Sequence, residues 1–144
     1  MKPKGIHHWM VYCLDIETGK VLWSQEAHQG PAKPRSAIRR TNSNASATPT
    51  TDGERLYVLF GEHRLYCYDF DGKPLWTYPI NPKETFFDYG HGASPITHNG
   101  HVIFTYDNQE ESFIASLDGK TGELIWKVDR DEPTTSWGAN IILL

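Results

Sequence analysis

One short pattern that occurs three times constrains the fold of this chain more than any other feature. It reads CLDIETGKVLW, CYDFDGKPLW and SLDGKTGELIW over the segments Cys13–Trp23, Cys67–Trp76 and Ser116–Trp126. The closing tryptophans are 53 and then 50 positions apart. Small residues followed by Pro49, Pro95 or Ile141 repeat with a similar spacing of 46. Two independent markers therefore indicate a repeat of about 50 residues.

The segments between these markers predict short strands and tight turns. Their polarity alternates, and they break at turn dipeptides such as Asp52-Gly53 and Asn99-Gly100, which leaves no room for a helix of ordinary length. Four strands in a repeat of this length are typical of a propeller blade. The sequence therefore predicts an all-β fold, a β-propeller segment of four-stranded antiparallel blades. Two blades are complete, at about Ser46–Ile80 and Ala93–Asp129, and partial blades flank them.

The whole chain, 1–144, is predicted to be one partial propeller domain. Its parts are a partial blade at 1–27, a linker at 28–44, a blade at 45–80, a linker at 81–92, a blade at 93–129 and the start of the next blade at 130–144. Closed propellers have about four to eight blades. We therefore expect a fragment of a longer protein, with copies of the same chain as the competing way to cover the open edges.

Each copy of the pattern combines an aspartate, a glycine and a tryptophan with distinct tasks. The carboxylate can accept N–H bonds from the turn that follows, and glycine supplies a permissive, bare backbone on which an indole can pack. The predicted docking residues are Asp15, Gly19, Trp23, Asp69, Gly72, Trp76, Asp118, Gly122 and Trp126.

This pattern resembles the tryptophan-docking motif of quinoprotein-type (PQQ-like) propellers, small-x-Asp-x-x-Thr-Gly-x-x-x-Trp. The first and third copies match it throughout, whereas the second is one residue shorter and lacks the Thr. The resemblance implies that each Trp wedges between neighbouring blades, so that Trp126 should be buried. It also implies that the chain is related to exported bacterial PQQ-like repeat proteins, and hence that it is located in the periplasm or at the cell surface. The chain as given shows no signal peptide.

Candidate ligand-binding residues precede the innermost strand of each blade, near the central channel where propellers bind ligands. His91 could act as a base or ligand, Trp137 as a stacking platform, and Asn44 occupies the same place in the preceding repeat. Packing and loop-anchoring roles are the commoner alternative for such residues. Replacing His91 by Ala without loss of binding would remove this hypothesis.

Other polar clusters have ordinary explanations as well as functional ones. Four cations, Lys33, Arg35, Arg39 and Arg40, lie in the 28–44 linker without an acidic residue, and form either an anion clamp or a solvated loop. No metal site is predicted, because the two histidines beside Asn99-Gly100 lack further ligands. Equivalent positions in successive repeats predict free thiols for Cys13 and Cys67.

The net charge and the missing motifs limit the classes of function that this chain can have. A net charge of −4 argues against a nucleic-acid partner, and no apolar run could span a membrane. PQQ and calcium are not supported as cofactors. Quinone-dependent dehydrogenases need acidic and amide ligands for calcium, a base carboxylate and, in many members, vicinal cysteines, and this set is not visible in the sequence. No catalytic residue is assigned. The sequence predicts a scaffold or a ligand- or protein-binding module, with the remaining blades of a longer chain or other protein chains as partners. The alternative is part of a PQQ-dependent dehydrogenase whose catalytic residues lie elsewhere.

Overall fold

A computed structural model describes residues 5–31, 43, 45–61, 63–83, 85 and 90–130. Regular structure in these residues consists of β-strands. The strands are β1 Ile6–Leu14, β2 Val21–Pro31, β3 Thr50–Thr51, β4 Arg55–Phe60, β5 Arg64–Asp69, β6 Pro74–Pro79, β7 Ile96–His98, β8 His101–Tyr106, β9 Phe113–Asp118 and β10 Leu124–Asp129. Among the described residues there is no helix long and apolar enough to cross a membrane.

The strands form three antiparallel sheets that follow chain order. The first sheet contains β1 and β2, the second contains β3 to β6, and the third contains β7 to β10. The prediction of four-stranded antiparallel blades is confirmed. The innermost strands are shorter than the sequence suggested, because β3 has 2 residues and β7 has 3.

The turn between β7 and β8 shows how local sequence sets the register. Asn99 and Gly100 have φ angles of 46° and 78°. Positive φ at both central residues is the type I′ geometry, whose twist matches that of the flanking strands. His98 consequently pairs with His101, and the remaining pairs of this hairpin follow in register.

The second sheet lies between the other two, and strand β4 contributes to both interfaces. Tyr57 and Leu59 belong to the core shared with the third sheet, whereas Val58 and Phe60 belong to the core shared with the first. Successive side chains of a strand point to opposite faces, so an apolar run buries both sides. Four consecutive residues, Tyr57 to Phe60, are therefore each at most 4% exposed.

The outer faces of the first and third sheets are more exposed than the faces between sheets. Tyr12 and Leu14 on the first sheet are 57% and 55% exposed, and Val128 on the third is 55% exposed. Trp126 is 39% exposed, so the prediction that it is buried is wrong. The other two indoles each lie on the turn of the next repeat, whereas the described residues contain no repeat after the third.

Candidate binding site

Antiparallel strand order divides each sheet into two ends. The hairpins between β4 and β5 and between β8 and β9 share one end of the sheets; we call the described residues 61, 63, 80–83, 85, 90–91 and 107–112 the loop end. The turns at Asp15–Lys20, Asp69–Lys73 and Asp118–Glu123 lie at the opposite end, which we call the turn end.

At the turn end, the indole of Trp23 rests on Gly72 of the following repeat. A Cβ placed on Gly72, whose φ is 82°, would lie 2.7 Å from Cδ2 of the ring. The indole Nε1–H also donates to the carbonyl oxygen of Phe70 at 2.8 Å. The ring therefore touches bare backbone and satisfies its one polar group on the same turn.

The second indole, that of Trp76, repeats this arrangement one sheet further along. A Cβ on Gly122 would lie 2.6 Å from its Cδ2 atom, and its Nε1–H donates to the carbonyl oxygen of Gly119 at 3.0 Å. Tyr57 flanks the ring with a centroid separation of 5.8 Å. The first sheet is thus joined to the second, and the second to the third, through the same kind of contact.

The aspartate of each turn accepts hydrogen bonds from the residues after it. Oδ1 of Asp15 accepts the backbone N–H and the hydroxyl of Thr18 at 2.8 and 2.7 Å. These bonds, the side-chain one first, lower the pKa of Asp15 below its ordinary value. Oδ1 of Asp118 is held likewise by Thr121, and its pKa is also lowered, mainly by the Thr121 N–H.

The middle turn is one residue shorter and is held by a different set of hydrogen bonds. Because Thr is absent, Oδ1 of Asp69 accepts the N–H groups of Asp71 and Lys73, at 3.0 and 2.8 Å. The N–H of Gly72 returns to the carbonyl of Asp69, three residues back, whereas Gly122 returns to Asp118, four residues back. Both turns still present a glycine with positive φ to an indole.

A polar network fixes the second sheet to the third beside Trp76. The Tyr57 hydroxyl donates to Oδ2 of Asp52 at 2.7 Å and approaches the Gly119 carbonyl at 3.1 Å, and Arg55 pairs with the same carboxylate oxygen at 3.0 Å. Burial alone would raise the pKa of Asp52, but the Tyr57, backbone and Arg55 hydrogen bonds outweigh it and lower the pKa to about 2. Burial, and then Asp52, raise the pKa of Tyr57.

At the loop end, His91 is packed between the second and third sheets. A Cβ on Gly61 would lie 2.5 Å from Cβ of His91, and the imidazole stacks on Tyr106 with centroids 4.2 Å apart. A ligand-binding role for His91 stays a prediction beside this packing contact. Asn44 and Trp137, the other two candidates, and the four linker cations lie outside the described residues.

The sequence analysis missed a polar cluster next to Tyr106, in which Asp107 and Asn108 are buried. Nη1 of Arg130 donates to both carboxylate oxygens of Asp107 at 2.7 Å, and the Asp107 side chain has no exposed surface. Next to it, Oδ1 of Asn108 accepts the N–H groups of Glu110 and Glu111. The Asn108 turn could have been recognised from its sequence, but Arg130 is 23 residues from Asp107 and no local pattern links them.

An aromatic cluster of Trp9 and three histidines lies between the first and second sheets. The Trp9 ring centroid is 4.5, 5.1 and 4.4 Å from those of His7, His28 and His63. The alternation of β1 puts His7 and Trp9 on one face, but sequence alone does not bring His28 and His63 to them. The three histidines come from three different segments of the chain.

Beside this cluster is a cavity of about 350 Å³ that follows the edge of β1. It is lined by His7, His8, Trp9, Met10, Tyr12, Ser43, Ala45 and Phe60. Consecutive β1 residues from both faces of the strand line it, so its wall is the strand edge that does not face β2. The size is within the range of small-ligand pockets.

The described residues do not fit a calcium–quinone centre. No three His, Cys, Asp or Glu side chains among them are placed to hold a metal ion. Asp107, the one carboxylate among the described residues that is buried, has both oxygens bound by Arg130. Cys13 and Cys67 are free thiols. The absence of PQQ and calcium from this protein stays a prediction.

Antiparallel sheets of four strands that stack face to face, with an indole of one seated on the turn of the next, define a β-propeller repeat protein. Residues 8–142 match the family described as outer membrane protein assembly factor BamB, a PQQ-type repeat family. The chain belongs to this family. No curated protein sequence matches it.

Solved structures show the same fold. BamB from Moraxella catarrhalis aligns with a TM-score of 0.57 and 19% identity, over 83% of this chain and 30% of that one. Quinohemoprotein alcohol dehydrogenase from Comamonas testosteroni aligns with a TM-score of 0.59 and 20% identity, over 83% of this chain and 18% of that one. A europium-containing methanol dehydrogenase aligns with a TM-score of 0.58 and 12% identity, over 86% of this chain and 22% of that one. The chain thus spans less than a third of each protein.

Proposed function

We propose that this chain is a non-catalytic propeller segment that acts as a scaffold or as a ligand- or protein-binding module. The observation that carries the proposal is the state of Asp107. It is the buried carboxylate of the described residues, and Nη1 of Arg130 donates to both of its oxygens at 2.7 Å. A carboxylate held by such charge-assisted hydrogen bonds serves the structure of the sheet rather than a substrate.

Family membership supports binding as the role. The family description names an assembly factor for outer membrane proteins, and assembly requires contacts with other proteins. On this basis we propose a periplasmic or cell-surface location, with the remaining blades of a longer chain or other proteins as partners at the open sheet edges. The exposed apolar residues of the outer faces support this, because such surfaces are typical of interfaces.

The second candidate is a segment of a PQQ-dependent dehydrogenase. Two of the three solved structures described above are dehydrogenases, with TM-scores of 0.58 and 0.59 against 0.57 for BamB. Fold similarity does not decide between the two functions, since one fold supports both.

Reconstitution distinguishes the two candidates. The purified chain, and the full protein that contains it, are incubated with PQQ and calcium, desalted, and examined for quinone absorbance and for dye reduction with short alcohols. A known quinone-dependent dehydrogenase serves as the positive control. We expect no retained quinone and no dye reduction. Calcium-dependent dye reduction by the full protein would overturn the binding role and support the dehydrogenase.

A further inference from the structure

We propose that Asn99 is a site of spontaneous covalent modification, at which the side-chain amide is lost and part of the product carries an isoaspartyl backbone linkage. This inference concerns the turn between β7 and β8 and does not depend on the proposed function. Asn99 is followed by Gly100, and both residues are exposed. Asparagine is among the thermolabile residues of proteins, and a glycine after it leaves the backbone nitrogen uncrowded.

The reaction at this turn needs only the protein and water. The backbone nitrogen of Gly100 attacks Cγ of Asn99, the new C–N bond closes a five-membered succinimide ring, and the Cγ–Nδ2 bond breaks. The side-chain nitrogen leaves as ammonia and takes with it the proton of the Gly100 N–H. Water then opens the ring at either carbonyl. The products are an ordinary aspartate and an isoaspartate, whose main chain runs through Cβ.

The geometry of the turn leaves room for this ring to close. A Cβ placed on Gly100 would meet nothing within 4 Å. The φ angle of Asn99 is 46°, in a region that asparagine tolerates better than most residues. Ring closure requires the peptide group between the two residues to rotate, and glycine permits this because it adopts φ angles of either sign. The turn therefore combines a reactive amide, an accessible nitrogen and a peptide group that can rotate.

The other described asparagines, Asn81 and Asn108, are protected from the same reaction. Asn108 is fully buried, and its amide accepts the N–H of Glu110 and donates to the carbonyl of Glu111. Asn81 precedes Pro82, whose nitrogen carries no hydrogen and cannot close the ring. Among the residues that the structure describes, the reaction should therefore be confined to Asn99.

Asp-Gly pairs reach the same ring by losing water, and the chain contains three of them, Asp52-Gly53, Asp71-Gly72 and Asp118-Gly119. An ionised carboxylate resists attack by a nitrogen. The oxygens of Asp52 and Asp118 are in addition held by hydrogen bonds. The Trp23 indole covers Gly72. We therefore expect Asn99 to react well before any of these pairs.

The modified turn is linked to the contact between the second and third sheets through Gly119. The Gly119 N–H donates to the carbonyl oxygen of Gly100 at 2.8 Å. The Gly119 carbonyl in turn accepts Nε1–H of Trp76 at 3.0 Å. An isoaspartyl linkage adds a carbon atom to the main chain of a two-residue loop, so the Gly100 carbonyl cannot keep its position while β7 and β8 keep their register. Isoaspartate should therefore loosen this contact, whereas aspartate, which leaves the main chain unchanged, should not.

Peptide mapping tests the site itself. The full protein is incubated for weeks in mildly alkaline buffer, digested and examined by mass spectrometry. The peptide that contains Asn99 should show the mass change from amide to acid and should separate into aspartyl and isoaspartyl forms, while the peptides with Asn81 and Asn108 stay unchanged. Asn99→Gly is the matched control, because Gly-Gly suits the same turn and has no amide to lose. An unmodified Asn99, or equal modification of Asn108, would overturn the inference.

Thiol labelling tests the link to the sheet contact. Cys67 belongs to the core shared by the second and third sheets. Its reaction with iodoacetamide in the native isoaspartyl protein should be about fivefold faster than in fresh protein, the effect of one lost hydrogen bond on a local opening equilibrium. Aged Asn99→Gly protein and fresh Asn99→Asp protein, which carries the new charge on a normal backbone, should both react as slowly as fresh protein. Unchanged labelling of Cys67 in the isoaspartyl protein, or fast labelling in Asn99→Asp, would refute this link.

Discussion

The indole of Trp76 lies so close to Gly122 that a methyl group on that glycine would come within 2.6 Å of the ring. Since Trp23 and Gly72 repeat this contact at 2.7 Å, adjacent sheets are joined by an aromatic ring on bare backbone. Dispersion and burial of apolar ring surface stabilise such a contact, and the indole N–H bond orients it.

Gly122→Ala should therefore destabilise the fold by two separable effects. A side chain at φ 75° costs about 1–2 kcal/mol, and the collision with Trp76 should add about 1–3 kcal/mol. Gly19→Ala is the matched control, because Gly19 has φ 68° in an equivalent turn but nothing within 4 Å of the added Cβ. Urea unfolding measures both. Equal losses for the two variants would contradict a stabilising role for the ring contact.

Trp76→Ala should cost about 3–5 kcal/mol, as for large aromatic side chains removed from a core. Trp126→Ala should cost clearly less, since Trp126 is 39% exposed. Thermal and urea unfolding of the two variants give the comparison. A larger loss for Trp126 would mean that its ring is covered in solution and that the exposed outer face described above is wrong.

Acid should weaken the contact between the second and third sheets. The pKa of Asp52 is lowered from 3.8 to about 2 in the folded protein, so its stabilising effect is complete above pH 4 and is lost as the pH falls through about 2. The linked free energy is about 2 kcal/mol. Tyr57→Phe should reduce this pH dependence. Asp52→Asn should remove the part due to Asp52 and leave the part due to Asp15 and Asp118, whose pKa values are also lowered. Urea midpoints between pH 5 and pH 2 provide the measurement; parallel curves for wild type and Asp52→Asn would refute the assignment.

The two thiols should react at very different rates. Cys67 is fully buried, and burial raises the pKa of its thiol to about 12, whereas Cys13 is partly exposed. Because the thiolate is the nucleophile, iodoacetamide should label Cys13 in the native protein and Cys67 only after unfolding. Mass spectrometry of peptides from native and urea-treated protein shows which residue carries the label. Equal native labelling would indicate that the interface between the second and third sheets opens readily.

The repeat allowed the sheets, their strand order and the turn positions to be predicted, because each depends on local alternation and on turn residues. The exposure of Trp126 could not be predicted in this way, since burial depends on what lies against a residue. The contacts of His91 are subject to the same limit, because Gly61 and Tyr106 are distant from it in sequence. Its ligand-binding role stays a prediction. The pairing of Asp107 with Arg130 likewise depends on tertiary structure.

The placement of Tyr57 and Val58 in different cores has a consequence for how this protein tolerates change. Inserting or deleting one residue in β4 would exchange the side chains of two interfaces at once, since neighbouring positions of a strand point to opposite faces. A similar change in β10 would affect mainly an exposed surface. Length variation among homologous chains should accordingly be rare in β4 and its partner β5, and more frequent towards the outer strand of the third sheet.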